Sequence, residues 1–172
     1  MGTRTIFCQA VMVAAALSAS ALVTEAHAAG GAGSLSVITL RPLSLLNLTE
    51  LDFGNAIAGA TAGTIVVNPV TGVRTTTGGT LAAGGTPQAA QFYTYGTPSL
   101  TLQVNRGPLP VLSRAGGGAT MNVTGLTLNG PVTRFLTSAG LLDLRVGGTL
   151  AVRANQMHGA YAGTFQIIVT YF

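Results

Sequence analysis

The chain has no lysine, no tryptophan and a single cysteine, and only 7% of its 172 residues are charged. An average soluble protein carries roughly 25%. The cysteine, Cys8, stands in a leader-like N-terminal stretch. Beyond it there is no thiol for a zinc-thiolate site, a redox pair, a disulfide or a cysteine nucleophile. The net charge of +4 rests on arginine alone, and Arg41, Arg74, Arg106, Arg114, Arg134, Arg145 and Arg153 stand singly along the chain. A nucleic-acid surface gathers basic residues on one face with aromatics between them. No nucleic-acid partner is therefore expected, and the arginines read as solvated side chains on a weakly charged surface. Acids are scarcer still. After the leader there are Glu50, Asp52 and Asp143, with His158 as the one histidine. Glu50 and Asp52 share a face in an extended strand, but beside Phe53-Gly54 they fit a solvated turn or bulge better than a reactive carboxylate pair. A calcium site gathers about six or more oxygens. This inventory points to no enzyme, no cofactor and no metal site.

What is present begins with a leader. Arg4 precedes the apolar run Ala10 to Leu17, and Ala26-His27-Ala28 forms a small-residue cleavage site. Residues 1–28 read as a signal peptide with a short signal helix, and 29–172 as the mature domain. No later stretch is apolar for about 18 residues, so no membrane span is expected after cleavage. The implied address is export across the inner membrane to the periplasm, the cell surface or the medium.

The mature part is rich in Val, Leu, Thr and Gly, a mixture that suits short strands and tight turns. Leu35 to Leu40 reads as a first strand ended by Pro42, and Leu43 to Phe53 as a second. Thr64 to Val67 and Val73 to Thr77 flank Asn68-Pro69-Val70-Thr71-Gly72, a hairpin whose return strand is broken by Gly78-Gly79. Ala89–Tyr95, Leu100–Val104 and Met121–Leu128 follow, the last meeting the tight-turn pair Asn129-Gly130. Gly116 to Gly118 reads as a hairpin tip. Leu141–Val146 and Thr149–Arg153 form a last hairpin with Gly147-Gly148 at its end. No apolar period of 3.6 persists, so the expectation is about ten to twelve short strands in an antiparallel, Ig-like or pilin-like β-sandwich. Tyr93 and Tyr95, beside Phe92, are candidate ligand aromatics for a glycan; packing within the sheet is the alternative.

The tail from Gly159 to Phe172 is the most informative stretch. Alternate residues of a strand share a face, which puts Gly159, Tyr161, Gly163, Phe165, Ile167, Val169 and Tyr171 together as an apolar stripe. The opposite face is mostly small or polar. Outer-membrane barrels end on an aromatic residue in the lipid-facing phase, whereas the phase of Phe172 holds Thr164, Gln166 and Thr170. The tail instead resembles that of chaperone–usher pilus subunits, with its apolar phase on a penultimate aromatic and a glycine fourteenth from the end. That resemblance implies a periplasmic chaperone and like subunits as partners. It also implies an N-terminal donor segment, for which Leu35 and Val37 are the candidates, although Thr39 and Arg41 continue that face poorly.

A second resemblance spans most of the mature chain. Leu51-Asp52-Phe53-Gly54, Ala62-Gly63-Thr64, Arg74 to Gly79, Phe92, Gly116 to Gly118, Val146 to Leu150 and Gly159 to Phe165 occur in the order that resembles the domain-of-unknown-function family 4402. These are secreted proteins frequent in alphaproteobacteria, with spore-coat-U-like and pilin-like β-sandwich character. The expected function is a non-enzymatic structural subunit of the cell envelope that associates by strand addition. The alternative is a free-standing secreted module that binds a glycan or a surface protein.

Overall fold

The computed structural model describes residues 36–172; the predicted signal peptide and Leu35 lie outside the described residues. Short runs rich in Val, Leu, Ile, Thr and Tyr, many of them closed by glycine or asparagine, become eleven strands among the described residues. They are β1 (Ser44–Thr49), β2 (Ala56–Val67), β3 (Arg74–Ala82), β4 (Ala90–Tyr95), β5 (Thr101–Arg106) and β6 (Val111–Arg114). The rest are β7 (Thr120–Leu128), β8 (Thr133–Phe135), β9 (Leu141–Val152), β10 (Tyr161–Ala162) and β11 (Ile167–Tyr171). An eight-stranded sheet follows the order β1-β4-β9-β7-β6-β10, with β2 joined to β9 and β3 to β2. A second sheet of three strands has the order β11-β5-β8. Every pairing is antiparallel. The all-β, antiparallel class read from the sequence is the one the chain adopts.

Four local expectations are corrected. Ser36 to Leu40 pairs with nothing and forms no strand; its apolar side chains gain no sheet neighbour, and Val37 and Ile38 are 88% and 83% exposed. The pair Gly78-Gly79 does not interrupt β3. It lies opposite a register irregularity between Ala58 and Gly63, where bare backbones let the bulged strand approach closely. Asn129-Gly130 does not fold β7 back into a hairpin. The chain leaves for β8 in the other sheet, and the Asn129 side chain pins β9 through the Asp143 carbonyl and the Arg145 amide.

The fourth correction concerns the centre of the large sheet. Gly147-Gly148 is no hairpin tip: β9 runs straight through it, and both glycines are buried. A Cβ at Gly147 would stand 2.2 Å from the Val67 carbonyl oxygen and 2.7 Å from the Pro69 nitrogen. The glycine is there so that the β2–β3 turn can close over the strand.

The buried cluster gathers Phe53, Ile65, Val67, Ala90, Val123, Leu126, Val146, Leu150 and Val152 from the large sheet and the segment before β2. On the small sheet Leu102 and Val104 are fully buried. Full burial of such side chains contributes about 1.5–3 kcal/mol each.

Arg41 and Arg153 are exposed, as expected of solvated charges, but the other five described arginines are tied into the fold. One Nη1 of Arg74 donates to the carbonyls of Phe53, Asn55 and Gly84. Arg106 of the small sheet donates to the Leu126 carbonyl of the large one. Arg114 holds His158 and Gly117, and Arg134 holds Pro131 and the Asn129 side chain. Burial pulls the Arg134 pKa down from the ordinary arginine value, with the nearby Asp143 charge acting in the opposite direction. A guanidinium suits this work because it offers five donors in a fixed fork, which an ammonium does not.

Candidate functional site: an open end of the core beside the C-terminal tail

The tail keeps the alternation expected of it but is not one ribbon. Tyr161, Phe165, Ile167, Val169 and Tyr171 are half-buried, while the residues of the opposite phase from Ala160 to Phe172 are exposed. The glycines of the apolar phase, Gly159 and Gly163, are exposed as well. Tyr161 and Ala162 pair with Arg114 and Ser113 at the edge of the large sheet. The chain then leaves that sheet, and Ile167 to Tyr171 pairs with Arg106 to Leu102 in the small one. The crossing from 163 to 166 is where the single-strand expectation fails. A chain serving two sheets must turn a corner between them, and bare backbone at Gly163 permits it: a Cβ there would lie 2.9 Å from the Val111 carbonyl. At the corner Phe165 meets Phe92 of β4 edge-to-face, with ring centroids 6.1 Å apart.

Both ends of the tail are fastened by side chains. The Tyr171 hydroxyl accepts from the Thr97 amide at 2.7 Å and donates to the Arg41 carbonyl at 2.8 Å. The Arg41 amide in turn donates to the Thr97 hydroxyl at 2.7 Å. The penultimate tyrosine thus ties the C-terminal strand to the segment that leads into β1. At the other end Gly159 has φ +143°, and a Cβ there would stand 2.7 Å from the Arg114 Nε that holds the His158 carbonyl. Local geometry alone accounts for glycine at that position.

Between these fastenings a cleft reaches down to the core. A cleft of about 540 Å³ lies between the segment Glu50–Ala56 and the start of the tail, Gly159–Phe165. Its floor reaches the buried Ile65, Val123 and Leu150, and its walls include the half-buried Leu112, Met121 and Phe165. One wall is held in shape by Arg74, by the Asp52–Gln88 backbone pairing and by Asp52 Oδ1, which accepts from the Gly54 amide at 2.7 Å. Glu50 accepts from the Asn47 side chain at 2.9 Å. Both acids at the rim therefore shape loops, and among the described residues no group of three His, Cys, Asp or Glu comes together as a metal site. No described helix is long and apolar enough to cross a membrane.

The residues singled out in the sequence do not all meet here. The tail from Gly159 to Phe165 lines the cleft, whereas Ile167, Val169 and Tyr171 belong to the small sheet. Val37 stands in no strand, and Leu35 lies outside the described residues. Tyr93 and Tyr95 are on the outer face of β4, away from the cleft, since Thr94 between them is fully buried and Phe92 points to Phe165. Sequence reasoning missed Arg74 and Arg114 as clamps, and Leu112 and Met121 as walls. Their only signal was apolar alternation in β6 and β7, which does not say what lies opposite.

Comparison with curated proteins and with solved structures finds no significant match to this chain. A family model described as Domain of unknown function (DUF4402) matches residues 43–171, the whole span from the lead-in of β1 to the end of β11. The chain belongs to that family.

Proposed function

We propose that this chain is a non-enzymatic structural protein of the cell envelope, exported through its leader and pilin-like or coat-like in role. It associates with like chains by strand addition, an apolar segment of one copy lying in the open core of the next. The cleft between Glu50–Ala56 and Gly159–Phe165 carries this reading, because half-buried apolar side chains, Leu51, Leu112, Met121 and Phe165, line open space above the buried core there. An incoming strand would gain backbone hydrogen bonds from a sheet edge and bury alternate side chains on that floor. The short strand β10 ends the large sheet's main path at this place.

The donor chemistry is present in the same chain. Val37, one of the two donor candidates, is 88% exposed, and Ile38 and Leu40 of the opposite phase are 83% and 46% exposed; none of the three stands in a strand. The segment from Leu35 to Arg41 carries one arginine and no acid, whereas the cleft rim carries Glu50 and Asp52. Edge defence is also thin. Monomeric β proteins block their edges with lysine, proline or inward charge, and β1, an edge strand, reads Ser-Leu-Leu-Asn-Leu-Thr with Leu46 and Leu48 exposed. A periplasmic chaperone that shields the cleft before assembly fits the same chemistry.

Cross-linking tests the reading. With Cys8 replaced by Ser, the full chain carrying Ile38→Cys and Ala160→Cys should form a ladder of disulfide-linked oligomers after export. Neither single variant should extend beyond a dimer, because a head-to-tail contact propagates only when both sites are present. A double variant that stays monomeric, or closes the disulfide within one chain, contradicts the proposal.

A further inference from the structure

Away from the cleft, the outer face of the large sheet carries an arrangement that strand addition does not use. Pairing between β1, β4 and β9 sets Ser44, Tyr95 and Leu141 in one row and Leu46, Tyr93 and Asp143 in the next. Gln91 and Arg145 follow in a third row. Two tyrosines at positions i and i+2 on one strand stand about 6.6 Å apart along it. Thr94 between them is fully buried, so both rings face outward; Tyr95 is 45% exposed and Tyr93 half-buried.

The polar groups beside the rings are held in place. The Asp143 carboxylate accepts from the Gln91 amide at 3.0 Å and from Arg145 Nε at 3.1 Å. The side chains of Asp143 and Arg145 remain 39% and 41% exposed. The chain's four tyrosines divide on this point. Tyr161 and Tyr171 use their hydroxyls within the fold, toward Met157, Gln156, Arg41 and Thr97. No hydrogen bond among the described residues engages the hydroxyl of Tyr93 or Tyr95.

We infer that this face binds an uncharged oligosaccharide, laid across Tyr93 and Tyr95 with its hydroxyls toward Gln91, Asp143 and Arg145. A sugar ring has an apolar C–H face that packs on the electron-rich face of an aromatic ring, and a rim of hydroxyls that need both donors and acceptors. The face supplies these in adjacent rows. Its one cation and one acid compensate each other, which matches a neutral ligand and offers a polyanion no unpaired charge. Fixed partners mean that little side-chain freedom is lost on binding. The face and the cleft involve different residues, so a chain assembled through one keeps the other available.

The test uses the full exported chain and four probes: cellohexaose, laminarihexaose, maltohexaose and, as the charged control, hexagalacturonate. Calorimetry and tyrosine fluorescence should show saturable binding of at least one neutral probe. Tyr95→Ala and Tyr93→Ala should each weaken it by about ten-fold or more at an unchanged melting temperature. Phe172→Ala, which removes an aromatic side chain 83% exposed elsewhere, should leave it unchanged. If an alanine variant fails to fold, the doubly conservative Y93F/Y95F keeps the rings and should bind more weakly through loss of its hydroxyls alone. Absence of binding to every neutral probe, binding of hexagalacturonate only, or binding indifferent to both tyrosines would each overturn the inference.

Discussion

The two ends of this core are built from the same kinds of residue and finished differently. On the small sheet, Leu102 and Val104 are fully buried, flanked by Tyr171 and Val169 of β11. Toward the far end of β9, around Leu150, comparable side chains line a cleft of about 540 Å³. The difference lies in what stands beside them. One end has strands β11 and β8 paired on both sides of β5; the other has a loop clamped by Arg74 and a two-residue strand, β10. A cleft walled by half-buried apolar side chains is costly for a monomer and useful to a chain that receives its cover from elsewhere.

That contrast can be broken experimentally, beginning with its largest element. Deleting residues 165–172 removes β11 together with Phe165, and the domain should lose cooperative folding, as seen by the loss of a thermal transition in circular dichroism. Next, Leu102→Ala should cost about 2–5 kcal/mol in denaturant unfolding, as expected for truncation at a closed site. Leu112→Ala at the cleft wall should cost about 1 kcal/mol or less, because its side chain already borders open space. Equal losses at the two leucines would remove the distinction between the ends. Arg74→Ala should cost about 1–3 kcal/mol, since three carbonyls lose a charged donor. Its amide-exchange footprint should centre on 53–55 and 84. Tyr171→Phe should cost about 0.5–1.5 kcal/mol for each of its two hydrogen bonds, with faster exchange at Thr97.

Much of the fold was legible because strand alternation is a local property. The β2–β3 hairpin, β4, β5, β7 and the inward phase of the tail follow directly from period-2 patterning. The glycines misled where their role was long-range. Gly147-Gly148 looks like a turn in one dimension, yet it is a flat passage under the β2–β3 turn, explained by the approach of Val67 and Pro69 to Gly147. Gly163 hid the corner for the same reason. Single arginines looked solvated because the carbonyls they collect are far away in sequence: Arg74 reaches back 21 residues to Phe53, and Arg114 forward 44 to His158. The cleft was not legible at all. A gap is defined by what two distant segments fail to fill, and no local pattern encodes that.

Amide hydrogen exchange of the full chain across a concentration series tests the central claim most directly, because it reads both core ends in one experiment. The account predicts that amides around 50–56 and 159–165 exchange more slowly as concentration rises. Those of β5 and β11 should be protected throughout. Exchange at both ends with no dependence on concentration would contradict it.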